Sequence, residues 1–356
     1  LGVAYEGPDF RFTPPPRPRL CERPSVAIIG TGKRTGKTAV AAFTARTLVT
    51  EGYKPVIVAM GRGGPPEPGV LRGDEIELEA RDLLELADQG KHAASDYVED
   101  ALLGRVPTVG CRRCGGGLAG GVQISNVAEG VAMANELSGD LILLEGSGSS
   151  IPPVHADASV LVVSSGVDPD YVGGYMGPYR LLLADLVVVT MCEEPFGSPS
   201  AISAITSRVG DAFRLRDGDE EGREIRVIRT VFRPAPVRSV DGARAFVATT
   251  APEGARRAIT HHLEAEHGCE VVGITHSLSD RQRLEKELKD IKDRADVLLC
   301  EIKAAGVDVA TRTAMDVGLD VVYMDNVPVA RGDDDLASAL ADTARRAGER
   351  FKADHA

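Results

Sequence analysis

The chain has 356 residues, 43% hydrophobic and 26% charged, which suits a globular protein with a sizeable core in one large or two smaller α/β domains. Its net charge of −12 argues against general binding to nucleic acid or to an anionic membrane, although a cleft can still focus positive field locally. No apolar run approaches the roughly 20 residues that span a bilayer and no signal-peptide pattern is recognisable. The scattered Cys21, Cys111, Cys114, Cys192, Cys269 and Cys300 then read as reduced thiols in the cytoplasm.

Residues 1–24 carry Pro14-Pro15-Pro16-Arg17-Pro18 and read as an extended connector to a domain upstream, or a free tail, and not as a packed element. From Ser25 the pattern becomes regular. Ser25–Ile29 is a predicted buried strand and Ala39–Leu48 a predicted helix with small and apolar residues on one side. Between them stand Gly30, Thr31, Gly32, Lys33, Arg34, Thr35, Gly36, Lys37 and Thr38. Backbone N–H groups of such a glycine-rich turn wrap phosphate oxygens, and the helix behind it adds aligned donors and partial positive charge. Lys37 is placed to reach the β- and γ-phosphates of a nucleotide and Thr38 to hold Mg²⁺. Gly30–Thr38 together with Ala39 is the predicted nucleotide cradle, except that the usual first glycine of the frame is here Thr31, with Gly30 one residue earlier. A βα turn without ligand is the competing reading.

The second predicted strand, Pro55–Met60, ends at Gly61-Arg62-Gly63-Gly64. Ligands sit outside the carboxyl ends of parallel strands, so Arg62 is a candidate phosphate ligand, against the plainer reading of a surface turn. Asp74–Gly90 is a predicted amphipathic helix. A polar cluster from Gly90 to Asp100 follows, in which His92 is a candidate substrate contact or a structural histidine. Cys111 and Cys114 supply only half of a tetrahedral zinc site. Arg112 and Arg113, in a predicted Gly-rich loop, fit anion recognition better, because guanidinium groups bind phosphate bidentately.

The third strand, Asp140–Glu145, runs into Gly146-Ser147-Gly148. Glu145 stands where phosphate-binding-loop proteins place the acid that organises Mg²⁺, and Ser147 is a candidate substrate contact. Strands at Ala158–Ser164 and Leu186–Thr190 follow, the latter ending near Glu193, assigned to the nucleotide. The Asn-Lys-x-Asp that reads guanine is absent there, which favours ATP. Arg180, after a Gly-rich loop, is placed to meet substrate or a dimer partner. Beyond Ile225, strands (225–232, 246–250, 270–275, 297–301 and 320–324) alternate with charged helices, among them Arg281–Arg294; Lys303, at a strand end, is expected to add a contact. The expected fold is α/β, a doubly wound, mostly parallel P-loop NTPase: linker 1–24, ATP-binding and catalytic domain 25–235, and C-terminal extension 236–356 of the same sheet. Which of Asp74, Asp96, Glu193 and Glu194 touches metal or adenosine is left open.

The loop resembles the Gly-Thr-x-x-x-x-Gly-Lys-Thr loop of dethiobiotin synthetase. Taken together, Ile29–Val40, Val58–Pro65, Gly90–Asp96, Gly110–Gly117 and Leu144–Gly148 resemble the cyclic 2,3-diphosphoglycerate synthetase family along nearly the whole chain, most sharply between 25 and 196. The resemblance implies a further domain ahead of Tyr5–Phe12. It also implies that 2,3-diphosphoglycerate is closed into a cyclic pyrophosphate at the expense of ATP, releasing ADP and phosphate, with a related activity that phosphorylates 2-phosphoglycerate. A phosphate nucleophile is already anionic at neutral pH, so such chemistry needs cations more than a general base. Lys33, Arg34 and Lys37, with Glu145, are the catalytic candidates; Arg62, His92, Arg112, Arg113, Ser147 and Arg180 surround the acceptor; Thr38 and Glu145 hold Mg²⁺. A symmetric homodimer is expected from base rates. Competing functions are a 2-phosphoglycerate kinase and a partner-regulated P-loop switch ATPase.

Overall fold

In the computed structural model all residues are described except 1–3, 14–15, 78, 91–94, 115–121, 147, 175–176, 215–224, 279 and 304–305. The described residues build a two-stranded hairpin, Tyr5–Glu6 with Arg11–Phe12, and one 13-stranded sheet. Along the sheet the strands run Glu270–Thr275, Arg244–Ala248, Val297–Glu301, Asp320–Ala330, Arg226–Pro236, Leu186–Thr190, Ala158–Ser164, Ser25–Gly30, Leu141–Gly146, Pro55–Gly61, Pro107–Cys114 and Gly69–Arg72. Ile124–Ser125 pairs off this path with Pro107–Cys114.

The α/β, mostly parallel reading holds. Neighbouring residues of a strand face opposite sides, and both sides are covered. Ala27 and Ile29 pack with Val127, Val131 and Ala134 of the helix Val127–Glu136. Val26 and Ile28 pack with Val40 and Ala41 of Lys37–Thr50 and with Leu336, Ala339 and Leu340 of the terminal helix Leu336–Asp354. The central strands are buried on both faces, which is why they read as continuous apolar runs and not as alternations.

One reversal shapes the molecule. Arg226–Arg229 pair in parallel with Leu186–Val189, whereas Thr230–Pro236 overhang and pair antiparallel with Ala330–Met324. The C-terminal strands Val297–Glu301, Arg244–Ala248 and Glu270–Thr275 are all parallel to Asp320–Ala330. They therefore start beyond the overhang and run back toward the P-loop strands, so that the two sets of strand carboxyl ends face each other.

Several boundaries differ from the sequence reading. Residues 16–23 are docked and not a loose connector. Arg23 donates to the carbonyls of Leu137 and Gly139 at 2.8 and 2.7 Å, Asn135 Nδ2 donates to Leu20 O at 2.8 Å, and Arg19 pairs with Asp354 at 2.8 Å. Proline excluded regular structure there, but Arg23 reaches carbonyls left unpaired beyond the end of the helix Val127–Glu136, and the segment's own Leu20 carbonyl accepts from Asn135. The helix predicted over 74–90 is Ala80–Asp88 only. Arg72 pairs with Asp74 ahead of it, and Asp82 accepts from Glu79 N at 2.7 Å, fixing the later start. Arg112 and Arg113 lie in the strand Pro107–Cys114 and not in a loop.

Candidate active site

The phosphate-binding loop is fixed at both ends by its neighbours. Thr31 N donates to Val162 O at 3.2 Å, and Thr190 Oγ1 donates to the carbonyl of Thr35 at 2.8 Å. Gly36 adopts φ +86°, a left-handed conformation that glycine takes at no steric cost, and a side chain there would meet the Phe232 ring. Gly30 is needed for a different reason. A Cβ on it would lie 2.7 Å from Cδ of Lys37, whose side chain folds back across the loop and donates from Nζ to Gly32 O at 3.1 Å. That close approach accounts for a glycine one residue ahead of the usual frame. Lys33 and Arg34 are exposed on the loop, while Thr31, Thr35 and Lys37 are buried.

Glu145 ends the strand Leu141–Gly146 beside this loop. It is 1% exposed; Thr38 Oγ1 donates to its Oε1 at 3.5 Å, and its Oε2 is buried without a hydrogen-bond partner among the described residues. Burial raises its pKa well above the usual carboxylate range, and Asp96 pushes the same way; Lys37 and the Thr38 hydroxyl oppose. Lys37 is pulled below the usual lysine range by burial and by Arg180, while Glu145 and Asp96 hold it up. A buried acid oxygen without a donor, next to a hydroxyl and a lysine at a phosphate loop, fits a cation that also touches phosphate.

Sequence reasoning missed part of this cluster. The helix Asp96–Gly104 brings Asp96, left open above, and Glu99 and Asp100, not singled out there, within electrostatic reach of Glu145. Asp100 is fully buried, both its carboxyl oxygens lack hydrogen-bond partners among the described residues, and burial raises its pKa, reinforced by Glu145, Asp96 and Glu99. Glu99 receives Lys303 Nζ at 3.2 and 3.3 Å from the C-terminal half. The i, i+4 spacing of Asp96 and Asp100 was the available signal, but on its own it describes a solvated helix face equally well.

Other candidates are distributed differently. Arg62 is exposed at the end of its strand. Alternation along Pro107–Cys114 sends Arg112 and Arg113 to opposite faces. Arg112 shares a face with Gly110, on which the Tyr97 ring lies, and its Nε donates to Gly64 O at 2.8 Å. Arg113 is buried on the face of Cys111, which packs against Gly130. The same alternation separates Cys111 from Cys114, so the pair does not form a joint metal or redox site. Arg180 is 1% exposed and donates through Nε and Nη2 to Ser149 O at 3.3 and 2.8 Å, bracing the loop after Glu145 where a substrate contact was expected. Glu193, expected at the nucleotide, is held by Arg233, with Nη2 to Oε2 at 2.8 Å. His92 and Ser147 lie outside the described residues.

Comparison with known proteins identifies the family. Residues 25–214 match the family model "Cyclic 2,3-diphosphoglycerate synthetase, P-loop domain", and residues 236–327 match that of the same synthetase's C-terminal domain. The chain is 47% identical over 328 residues to the cyclic 2,3-diphosphoglycerate synthetase of Methanothermus fervidus, covering 92% of this chain and 69% of that protein. It is 48% identical over 351 residues to the synthetase of Rubrobacter xylanophilus, covering 98% of this chain and 76% of the relative. Among solved structures, ATP-bound LpxK from Aquifex aeolicus aligns over 92% of this chain and 90% of its own, with TM-score 0.48 and 12% identity, a likeness too distant to bear on the site. No helix among the described residues is long and apolar enough to cross a membrane. With a P-loop at its centre and relatives this similar along nearly its whole length, the chain belongs to the cyclic 2,3-diphosphoglycerate synthetase family.

Proposed function

We propose that this enzyme uses ATP and Mg²⁺ to close 2,3-diphosphoglycerate into its cyclic pyrophosphate, releasing ADP and phosphate. The observation that carries the reading is the pairing of a phosphate loop with a buried oxygen of Glu145 that has no partner among the described residues, in a chain nearly half identical to named synthetases.

ATP lies along the loop from Gly30 to Ala39, its phosphates against the backbone N–H groups at the start of Lys37–Thr50. Lys37 leaves Gly32 O to meet the β- and γ-phosphates. Thr38 and Glu145 would hold Mg²⁺, which supplies charge neutralisation between the phosphates. One phosphate of the substrate attacks the γ-phosphorus, forming a P–O–P linkage as the bond to ADP breaks. The second substrate phosphate then attacks the first; the new anhydride closes the ring and the transferred group leaves as inorganic phosphate. Both nucleophiles are anionic, so the site needs no general base. The burden is like-charge repulsion. At ~4 Å and an effective dielectric of ~20, each favourable charge pair contributes about 4 kcal/mol before desolvation, so Lys33, Arg34, Lys37, Arg62 and Arg112 act jointly.

A coupled assay tests the reading. ADP release should depend on 2,3-diphosphoglycerate and be matched by equimolar phosphate. ADP without phosphate, from 2-phosphoglycerate, would instead mark a kinase. ATP turnover indifferent to both would mark a switch ATPase.

A further inference from the structure

We propose that the carboxyl ends of the C-terminal strands form the acceptor half of the active site, with Lys303, held by Glu99, as the cation that binds a phosphate of the phosphoglycerate. The inference rests on the reaction given above and assigns a part of the site that the phosphate loop does not supply.

The topology makes the first argument. The four C-terminal strands are parallel in the order Glu270–Thr275, Arg244–Ala248, Val297–Glu301, Asp320–Ala330. Chain order reverses between Arg244–Ala248 and Val297–Glu301, and the crevice outside the carboxyl ends at such a switch point is where open α/β sheets take ligands. Because these strands run back from the overhang of Arg226–Pro236, this crevice opens toward the carboxyl ends of the P-loop strands.

The residues at the switch point are polar and fixed. Glu301, 4% exposed, accepts from Thr249 Oγ1, from Thr250 N at 3.1 Å and from Thr250 Oγ1 at 2.6 Å, so the two loops are tied together. On the neighbouring strand end, His276 Nδ1 lies 2.6 Å from the carbonyl of Ala251. A carbonyl only accepts, so Nδ1 carries the proton, and Nε2 is left buried with no partner among the described residues. Lys303 leaves this crevice toward the other half and reaches Glu99. Asp96 raises the pKa of both Lys37 and Lys303, so its charge acts on both ammonium groups.

The chemistry fits an anionic acceptor. An ammonium has three N–H donors; Glu99 engages it through two oxygens on one side, and the Lys303 side chain remains 43% exposed. Glu99 acts as a positioning residue, holding the lysine across the cleft from the phosphate loop. A phosphate bound there would stand between the transferring ATP and the C-terminal half.

The test is isothermal titration of the full chain with 2,3-diphosphoglycerate, and separately with a non-hydrolysable ATP analogue and Mg²⁺. Removing Lys303 alone leaves Glu99 uncompensated, so the informative variant combines Lys303→Met with Glu99→Gln. It should bind the phosphoglycerate about ten- to a hundredfold more weakly, as expected for a lost charge-assisted hydrogen bond, with a distinctly smaller change in nucleotide affinity. Lys303→Arg should restore most of the acceptor affinity. Equal acceptor binding by the wild type and the double variant would overturn the assignment and leave the reaction untouched. So would a parallel loss of both ligands. A wild-type chain that binds the nucleotide analogue but no phosphoglycerate would refute the reaction and this inference together.

Discussion

Replacing Gly36 with alanine tests whether the loop has been read correctly. The residue sits at φ +86°, where an L side chain costs about 1–2 kcal/mol. Its Cβ would also stand 2.2 Å from Cζ and 2.6 Å from Cε2 of Phe232, a half-buried ring on Arg226–Pro236. Relieving an overpacked contact of this kind costs about 1–3 kcal/mol more. The total of about 2–5 kcal/mol is a large fraction of the roughly 5–15 kcal/mol that holds a typical domain folded. Urea denaturation of Gly36→Ala should show that loss, together with weaker nucleotide binding as the N–H groups at the helix start turn away. Adding Phe232→Leu should return part of the contact cost but none of the backbone cost, giving a measurable coupling between the two sites. A Gly36→Ala protein within about 0.5 kcal/mol of wild type would refute both the left-handed conformation and the ring contact.

Other perturbations separate the roles within the site. Lys37→Ala should lower kcat by about 10²–10³-fold in steady-state ADP release, because it removes a donor aimed at the transferring group; a change confined to KM would contradict that role. Asp100→Asn tests the buried acid. Its raised pKa means that the fold favours the protonated carboxyl, so its stabilising contribution is present at low pH and lost as pH rises through the folded value. The variant's melting temperature should therefore gain on wild type from about pH 5 to pH 8 in metal-free buffer, and the opposite slope would count against the assignment. Arg112→Ala should raise the KM for the phosphoglycerate more than that for ATP, whereas Arg113→Ala, buried on the other face, should chiefly lower the melting temperature. Identical kinetic defects in the two would argue against opposed faces.

Much of this organisation was legible in the sequence, for identifiable reasons. The strands Ser25–Gly30, Pro55–Gly61 and Leu141–Gly146 are buried on both faces and end in glycine-rich turns, so apolar runs with sharp edges located them. The place of Glu145 beside the phosphate loop was legible because it ends such a run next to the strand that enters the loop. What escaped depended on pairing across long separations. Nothing local to Glu193 signals Arg233, 40 residues away, and nothing local to Glu99 signals Lys303, 204 residues away. The segment Gly110–Cys114 was misread because its glycine and arginines suggest a loop. Its strand pairs instead with Ile57–Gly61 and Gly69–Arg72, and the bare backbone of Gly110 leaves room for the Tyr97 ring. The overhang of Arg226–Pro236 was also hidden, since a strand's length does not reveal which neighbours it pairs with at each end.

The most direct measurement is ³¹P NMR of the protein with Mg-ATP and 2,3-diphosphoglycerate. The account predicts a cyclic pyrophosphate signal growing in step with ADP and inorganic phosphate. It also predicts that the signal is lost in Lys37→Ala. Growth of an open-chain phosphate product alone, or ADP and phosphate with the diphosphoglycerate resonances unchanged, would contradict it.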